Sequence, residues 1–213
     1  IKKIMTGLNP QGTHVASFKV PTYMDLDRDY LYRIHSMVPA RGEIGIFNRS
    51  HYEDVIVTRV HNLVEEQPLP EKLISQDIWD RRFEEINNFE EYLSDNGISV
   101  VKFYLHISKD KQKERLMERL ERPEKHWKFS KSDILERQHW YKYRQCYEDV
   151  LEKTSTKKCP WYVVPADRKW FSRYLVSTVI LEKLEALDPK FPKLSKDEED
   201  SLDKWKEILK SSR

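Results

Sequence analysis

The chain has 213 residues, 38% of them hydrophobic and 35% charged, with a formal net charge of +2 and 5 glycines. Those figures suit one α/β domain with a core and an elaboration, and they exclude a disordered or fibrous polypeptide. No apolar run approaches the roughly 18 residues of a membrane span, no signal-peptide pattern opens the chain, and Cys146 and Cys159 lack disulfide-framework or zinc-ligand spacing, so a cytoplasmic protein with two buried thiols is expected.

Residues 1–5 read as the middle of a helix, which leads us to expect a segment upstream of Ile1. Gly7 and Gly12 have phosphate-loop spacing, but Thr13-His14 stands where Lys-Ser/Thr is required and Pro10 removes an N–H, so this is a turn. Residues 14–20 read as a strand ended by Pro21. Residues 25–38 carry Leu26, Tyr30, Ile34 and Met37 at helical spacing, and Pro39 closes that helix. Residues 44–47 form a short apolar run after the turn glycine Gly42, which suits a buried parallel strand.

A helix running towards His61 follows, with Ser50 and Glu53 in capping-box spacing. Residues 75–95 carry the stripe Trp79, Phe83, Ile86, Phe89 and Leu93, with Gly97 as the C-terminal cap. Residues 98–107 read as a strand, and Ser108 as the cap of a charged helix over 109–121. Ser130 and Asp133 give a second capping-box signal, opening a helix to about Lys153. A strand at 161–165, a helix from Asp167 to about Leu187 and a polar tail ending in a peripheral helix complete the chain. Strands alternating with helices predict a doubly wound parallel sheet.

Two segments carry chemistry. Asn48-Arg49-Ser50-His51-Tyr52-Glu53-Asp54 sets an amide, a guanidinium, an imidazole and two carboxylates directly behind an apolar strand. Carboxylates at a helix start stabilise it through the dipole, but the mixture of groups is that of a Walker B-like strand end holding Mg²⁺ and phosphates, at the edge where open α/β sheets bind ligands. Residues 109–145 hold 12 Lys/Arg against 7 Asp/Glu, an excess of +5 where the whole chain carries +2. Arg115, Arg119 and Arg122 share a helical face, and glutamates interleave as on a solvated helix. The cations continue through Lys125 and Lys128 around Trp127, in a loop between helices that can act as a phosphate-binding lid. Arg81-Arg82 and Lys157-Lys158 read as surface charge, and Trp79, Trp161 and Trp170 as core. His35, His61 and His106 are given no metal role.

Residues 46–55, 119–130 and 159–170, with Leu8-Asn9-Pro10 and Pro21-Thr22, resemble the polyphosphate kinase 2 family in its AMP/ADP-phosphorylating branch, from the first residues to about Pro192. The resemblance implies a P-loop kinase-like (thymidylate kinase-like) α/β fold: a parallel sheet sandwiched by helices over 1–192, a helical lid at about 109–145, and a polar tail at 193–213. It places the Walker A loop upstream of Ile1. It also implies reversible phosphoryl transfer from inorganic polyphosphate to AMP or ADP, with Mg²⁺ or Mn²⁺ as cofactor. Adenine nucleotides, and guanine ones as a second class, are the expected partners, in a dimeric or tetrameric homo-oligomer with no nucleic acid or membrane partner.

Carried over residue by residue, Asp54 resembles the Mg²⁺-binding carboxylate, Glu53 a substrate-site acid and Arg49 a phosphate ligand. Arg115, Arg119, Lys125 and Lys128 resemble lid residues on the polyphosphate or nucleotide phosphates, with Arg137 a further candidate. Asn48 stands where many members have Asp, and its amide can donate to a phosphate oxygen that a carboxylate would repel, as suits the branch using AMP as well as ADP. Arg122 stands where the family commonly has Asp. The alternative expectation is a non-catalytic polyphosphate- or nucleotide-binding module. A nucleic-acid-binding face would be broadly basic, whereas here the excess is confined to the lid.

Overall fold

The computed structural model describes residues 1–212. β1 (Thr13–Ser17) lies parallel to β2 (Ile44–Asn48), and β3 (Lys102–His106) lies parallel to β4 (Trp161–Pro165). Every strand pair among the described residues is parallel, as the alternation predicts, and the long connections between paired strands supply the crossovers that parallel pairing needs. The described residues form two two-stranded ladders where one continuous sheet was expected.

Local side-chain hydrogen bonds account for the principal departures from the expected helices. Instead of one helix over 25–38 there are α1 (Tyr23–Leu26) and α2 (Tyr32–His35). Thr22 and Asp25 form a capping box at the start of α1, while the Asp29 carboxylate accepts the Leu31 N–H at 3.0 Å and turns the chain between the two helices. At the chain start, a 3₁₀ turn over Met5–Gly7 replaces the expected helix.

α3 (Glu53–Val60), α4 (Ile78–Asp95) and α7 (Trp140–Thr154) build the main core. Tyr52, Val55, Ile56 and Val60 recur at helical spacing and meet Phe83, Ile86, Cys146 and Val150, with Trp79, Tyr143, Tyr147 and Trp161 packed around them. Val55, Ile86 and Val150 are fully shielded, and each contributes about 1.5–3 kcal/mol of hydrophobic stabilisation. A smaller cluster of Ala16, Phe18 and Ile34, with Phe47 and Phe89 against it, includes residues of the β1–β2 ladder. Gly97 ends α4 as expected: at φ +85° it lets its own N–H reach Ser94 O at 3.0 Å and the Ile98 N–H reach Leu93 O at 3.0 Å, a Schellman closure.

α5 (Lys109–Glu121) opens on Ser108, whose hydroxyl accepts the Lys111 N–H at 3.1 Å. α6 (Lys131–Glu136) lacks the expected capping box, because the Asp133 carboxylate is taken by Arg119 and the Ser130 hydroxyl bonds Ser132. α8 (Lys169–Leu187) follows β4. The described residues divide into a unit ending at Thr178 and a second unit beginning at Val179, within α8. The second unit contains α9 (Lys196–Ser211), opened by a Ser195–Glu198 capping box. No described helix is long and apolar enough to cross a membrane.

Candidate active site

The β2 strand delivers Asn48 to its carboxyl end, where the Nδ2 donates to Ser17 Oγ of the neighbouring strand at 3.4 Å. Arg49 then adopts a left-handed conformation, φ 66°, that a side-chain-bearing residue rarely takes. The reversal sends the chain through Ser50-His51-Tyr52 into α3. The expected capping box is absent here too: the Ser50 hydroxyl accepts the Tyr52 N–H at 3.4 Å, and Glu53 instead faces Arg49, with Oε1 3.5 Å from Nε.

Glu53 and Asp54 occupy the first turn of α3, yet their environments differ. Glu53 is half-buried beside the exposed Arg49 side chain, and burial raises its carboxyl group against the opposing pull of Arg49 and Arg33. Asp54 is only 5% exposed, and burial raises its carboxyl group against the charges of Arg82 and Arg33. Arg33 Nη2 stands 4.0 Å from Asp54 Oδ2 while its Nη1 donates to Lys19 O at 2.8 Å. Asp54 Oδ2 is buried with no hydrogen-bond partner. An orphaned hard oxygen is a donor that a divalent cation can use, because Mg²⁺ commonly takes one or two carboxylates and completes its shell with water and phosphate oxygens. Asp54 fits as such a donor, while the neighbouring Glu53 carboxylate faces Arg49.

Arg82 corrects the surface-charge expectation. At 4% exposure, it donates to the Asp54 carbonyl at 2.8 Å and to Gln67, with its guanidinium 4.9 Å from the Tyr30 ring centroid. Beneath the same turn lies a buried polar network. Lys102 Nζ donates to Glu90, to Tyr52 Oη at 3.0 Å and to Thr154 O at 2.8 Å. Glu90 Oε1 accepts the Tyr52 hydroxyl at 2.8 Å and stands 3.2 Å from His51 Nε2. Burial and the Glu90 carboxylate push the Tyr52 phenol far up, so its hydroxyl keeps the proton that it donates.

Sequence reasoning passed over Arg33, Glu90 and Lys102 and took Arg82 for surface charge. A signal existed for two of them: Arg82 and Glu90 fall in register with Phe83 and Ile86, on the buried face of α4. Charges in that register must be paired inside the protein.

The structure brings Asn48, Arg49, Glu53 and Asp54 together and holds the lid candidates as a second group. Arg115 Nη2 donates to Ala166 O at 2.7 Å and Asp167 O at 3.0 Å, tying α5 to the end of β4. Arg137 Nη1 donates to Lys109 O and Gln112 Oε1, both at 2.8 Å. Arg119 pairs with Asp133 and Lys125 with Glu118. Lys128 has no carboxylate partner among the described residues, and its ammonium lies 4.8 Å from the exposed Trp127 ring centroid. No hydrogen bond or ion pair among the described residues joins the two groups. A cleft of about 380 Å³ borders Arg115 with Lys111, Asp167, Lys169, Trp170 and Arg173. Trp170 is 64% exposed there, against the core position expected from its apolar stripe, whereas Trp79 and Trp161 do pack on the core.

Parallel ladders, one strand of which ends in an acid, amide and guanidinium cluster, followed by a basic helical segment, fit an α/β protein of the P-loop kinase-like class. The chain belongs to the polyphosphate kinase 2 family, whose model matches residues 1–192. It is 48% identical over 192 residues to the AMP/ADP-polyphosphate phosphotransferase of Meiothermus ruber, covering 90% of this chain and 68% of that protein. The ADP-polyphosphate phosphotransferase of Rhodopseudomonas palustris is 44% identical, over 90% of this chain and 67% of its own. The crystal structure of polyphosphate kinase 2 from Arthrobacter aurescens TC1 superposes with a TM-score of 0.87 at 38% identity, covering 99% of this chain and 70% of that one.

Proposed function

We propose that the protein is a phosphotransferase that moves a terminal phosphoryl group from inorganic polyphosphate to AMP and ADP. One observation carries the reading: the orphaned Asp54 oxygen stands at the helix start behind β2, in a chain 48% identical to an AMP/ADP-polyphosphate phosphotransferase. Phosphoryl transfer asks little covalent chemistry of a protein and much positioning and charge neutralisation. Asp54 would hold Mg²⁺ or Mn²⁺, which when bound neutralises phosphate charge, and Glu53 beside it would face the substrate.

Arg49 is exposed and paired only loosely with Glu53, so a phosphate oxygen can displace that carboxylate from it. Asn48 offers an amide N–H to an acceptor phosphate. Lys128 is available to polyphosphate directly, and Arg119 and Lys125 by exchanging a protein carboxylate for a phosphate. Arg115 and Arg137, bound to backbone carbonyls, keep the lid in register with β4 and with α5. We take the protein as a cytoplasmic homo-oligomer acting on adenine nucleotides, the acceptors supported by the AMP/ADP specificity in its relatives' names.

The test mixes the protein in its full natural length with Mg²⁺, polyphosphate and either AMP or ADP, and follows ADP and ATP over time. Product from both acceptors is expected, and Asp54→Asn should abolish it while leaving the circular dichroism spectrum unchanged. No product from either acceptor overturns the proposal, and near-normal turnover by Asp54→Asn overturns the metal role.

A further inference from the structure

The buried network under α3 serves no part of the chemistry just described, yet it is attached to it at two points. Glu90 is 1% and Lys102 6% exposed, so both charges lie away from any substrate. Burying a pair of charges is a poor route to stability, since well-packed apolar residues of the same volume commonly do as well or better. What this pair gains is contact with His51 and Tyr52, the two residues immediately before Glu53 and Asp54. Lys102 comes from β3, Glu90 from α4 and Thr154 from the end of α7. Three elements therefore converge on a turn whose own backbone closure consists of the Glu53 N–H to Ser50 O and Asp54 N–H to His51 O bonds, both 3.1 Å.

We infer that Glu90 and Lys102 are positioning residues for phosphoryl transfer, acting through Tyr52 and His51 to fix the first turn of α3 and with it the direction of the Glu53 and Asp54 carboxylates. The Tyr52 hydroxyl is the central joint: it accepts from Lys102 and donates to Glu90, so swinging the whole side chain about χ1 breaks two bonds at once. The Tyr52 ring is also held edge-on by Trp161, centroids 4.7 Å apart, and Trp161 Nε1 donates to Thr154 Oγ1 at 2.9 Å. The lid group has no hydrogen bond or ion pair to this network among the described residues, so binding of polyphosphate there should be indifferent to it.

This inference rests on the proposed transfer and metal role, and its test separates the two. Tyr52→Phe removes one oxygen from the network. Lys102→Met combined with Glu90→Gln removes both charges together and leaves no buried charge unpaired. Each is compared with wild type for ATP formation from polyphosphate and ADP, and for Mn²⁺ binding in the absence of substrates, followed by electron paramagnetic resonance.

The expected result is a kcat lowered about tenfold or more, an unchanged KM for polyphosphate and Mn²⁺ bound about tenfold more weakly, the range typical when the partners that orient a metal ligand are removed. Folded Tyr52→Phe with wild-type kcat and Mn²⁺ affinity overturns the inference, even if its Tm falls, since a purely structural role would move Tm alone. Should the double variant fail to fold, Tyr52→Phe decides. Wild-type protein that binds Mn²⁺ but makes no ATP would fail the proposed function and leave the Mn²⁺ comparison to judge the network. Wild-type protein that does not bind Mn²⁺ would overturn both the metal role and the inference.

Discussion

Replacing Arg82 with Ala removes a buried cation whose every polar contact is internal. Arg82 donates to the Asp54 carbonyl and to the Gln67 side chain, and its guanidinium lies 4.9 Å from the Tyr30 and 5.7 Å from the Trp79 ring centroid. A hydrogen bond from a charged donor contributes about 1.5–3 kcal/mol, and a desolvated cation–π contact up to about 2 kcal/mol. Summing these overstates the loss, because the desolvation cost of burying the guanidinium is recovered on truncation. Removing one partner from a buried polar or ionic set costs about 3–5 kcal/mol, and that is the expected destabilisation. Since whole domains are stable by only about 5–15 kcal/mol, the variant should sit near the threshold of folding. Urea unfolding followed by circular dichroism at neutral pH gives the value, read from the midpoint with an unchanged slope. Arg82→Met, which keeps much of the apolar stem, should recover part of the loss. A cost below about 1 kcal/mol for Arg82→Ala, against the range above, would refute the claim that Arg82 anchors the start of α3.

Further outcomes follow from other sites. Gly97→Ala should cost about 1–2 kcal/mol in the same unfolding experiment, because φ is +85° and the added methyl would lie 3.3 Å from Arg41 Nη1; a stabilised variant would contradict the Schellman closure. The Ser108 backbone N–H, 2.8 Å from Asp167 Oδ1, holds the Asp167 carboxyl below its ordinary value. Its contribution to stability is therefore complete above about pH 4 and lost as pH falls through the lowered value, so the difference between wild type and Asp167→Asn should shrink on acidification below pH 4, and a gap that persists would refute this. Lys128→Ala should raise the KM for polyphosphate and flatten its dependence on NaCl while leaving Tm unchanged, since Lys128 has no carboxylate partner among the described residues. An unaltered salt profile would remove Lys128 from the phosphate path.

Much of this architecture is legible in the amino-acid order because it depends on short-range rules. The apolar stripe of α4, the Gly97 cap, the Ser108 cap and the cluster from Asn48 to Asp54 all follow from neighbours within a few residues. Several readings that failed did so through a competing hydrogen-bond partner, in some cases distant in sequence and in others local. Asp133 had the right distance from Ser130 to close a capping box, but Arg119, 14 residues earlier, holds it. Asp29 broke a helix whose apolar periodicity was sound, by accepting a backbone N–H that the helix would have used. Arg115 was legible as a lid cation, but its commitment to carbonyl oxygens 51 and 52 residues away is tertiary. Arg82 and Glu90 were open to discovery through their register on the buried face of α4, and an isolated arginine pair is a weak guide against that periodicity.

The two free cysteines acquire a use from where they are packed. Cys146 belongs to the α3–α4–α7 core, and Cys159, 1% exposed, contacts the Glu90 carbonyl through its sulfur at 3.7 Å; burial raises both thiols and keeps them out of the reactive thiolate form. The molecule thus carries two native chemical clocks that require no label to be engineered. In a thiol-trapping experiment, modification of Cys159 times the breathing of the layer that supports the catalytic turn, and modification of Cys146 times the opening of the helical core.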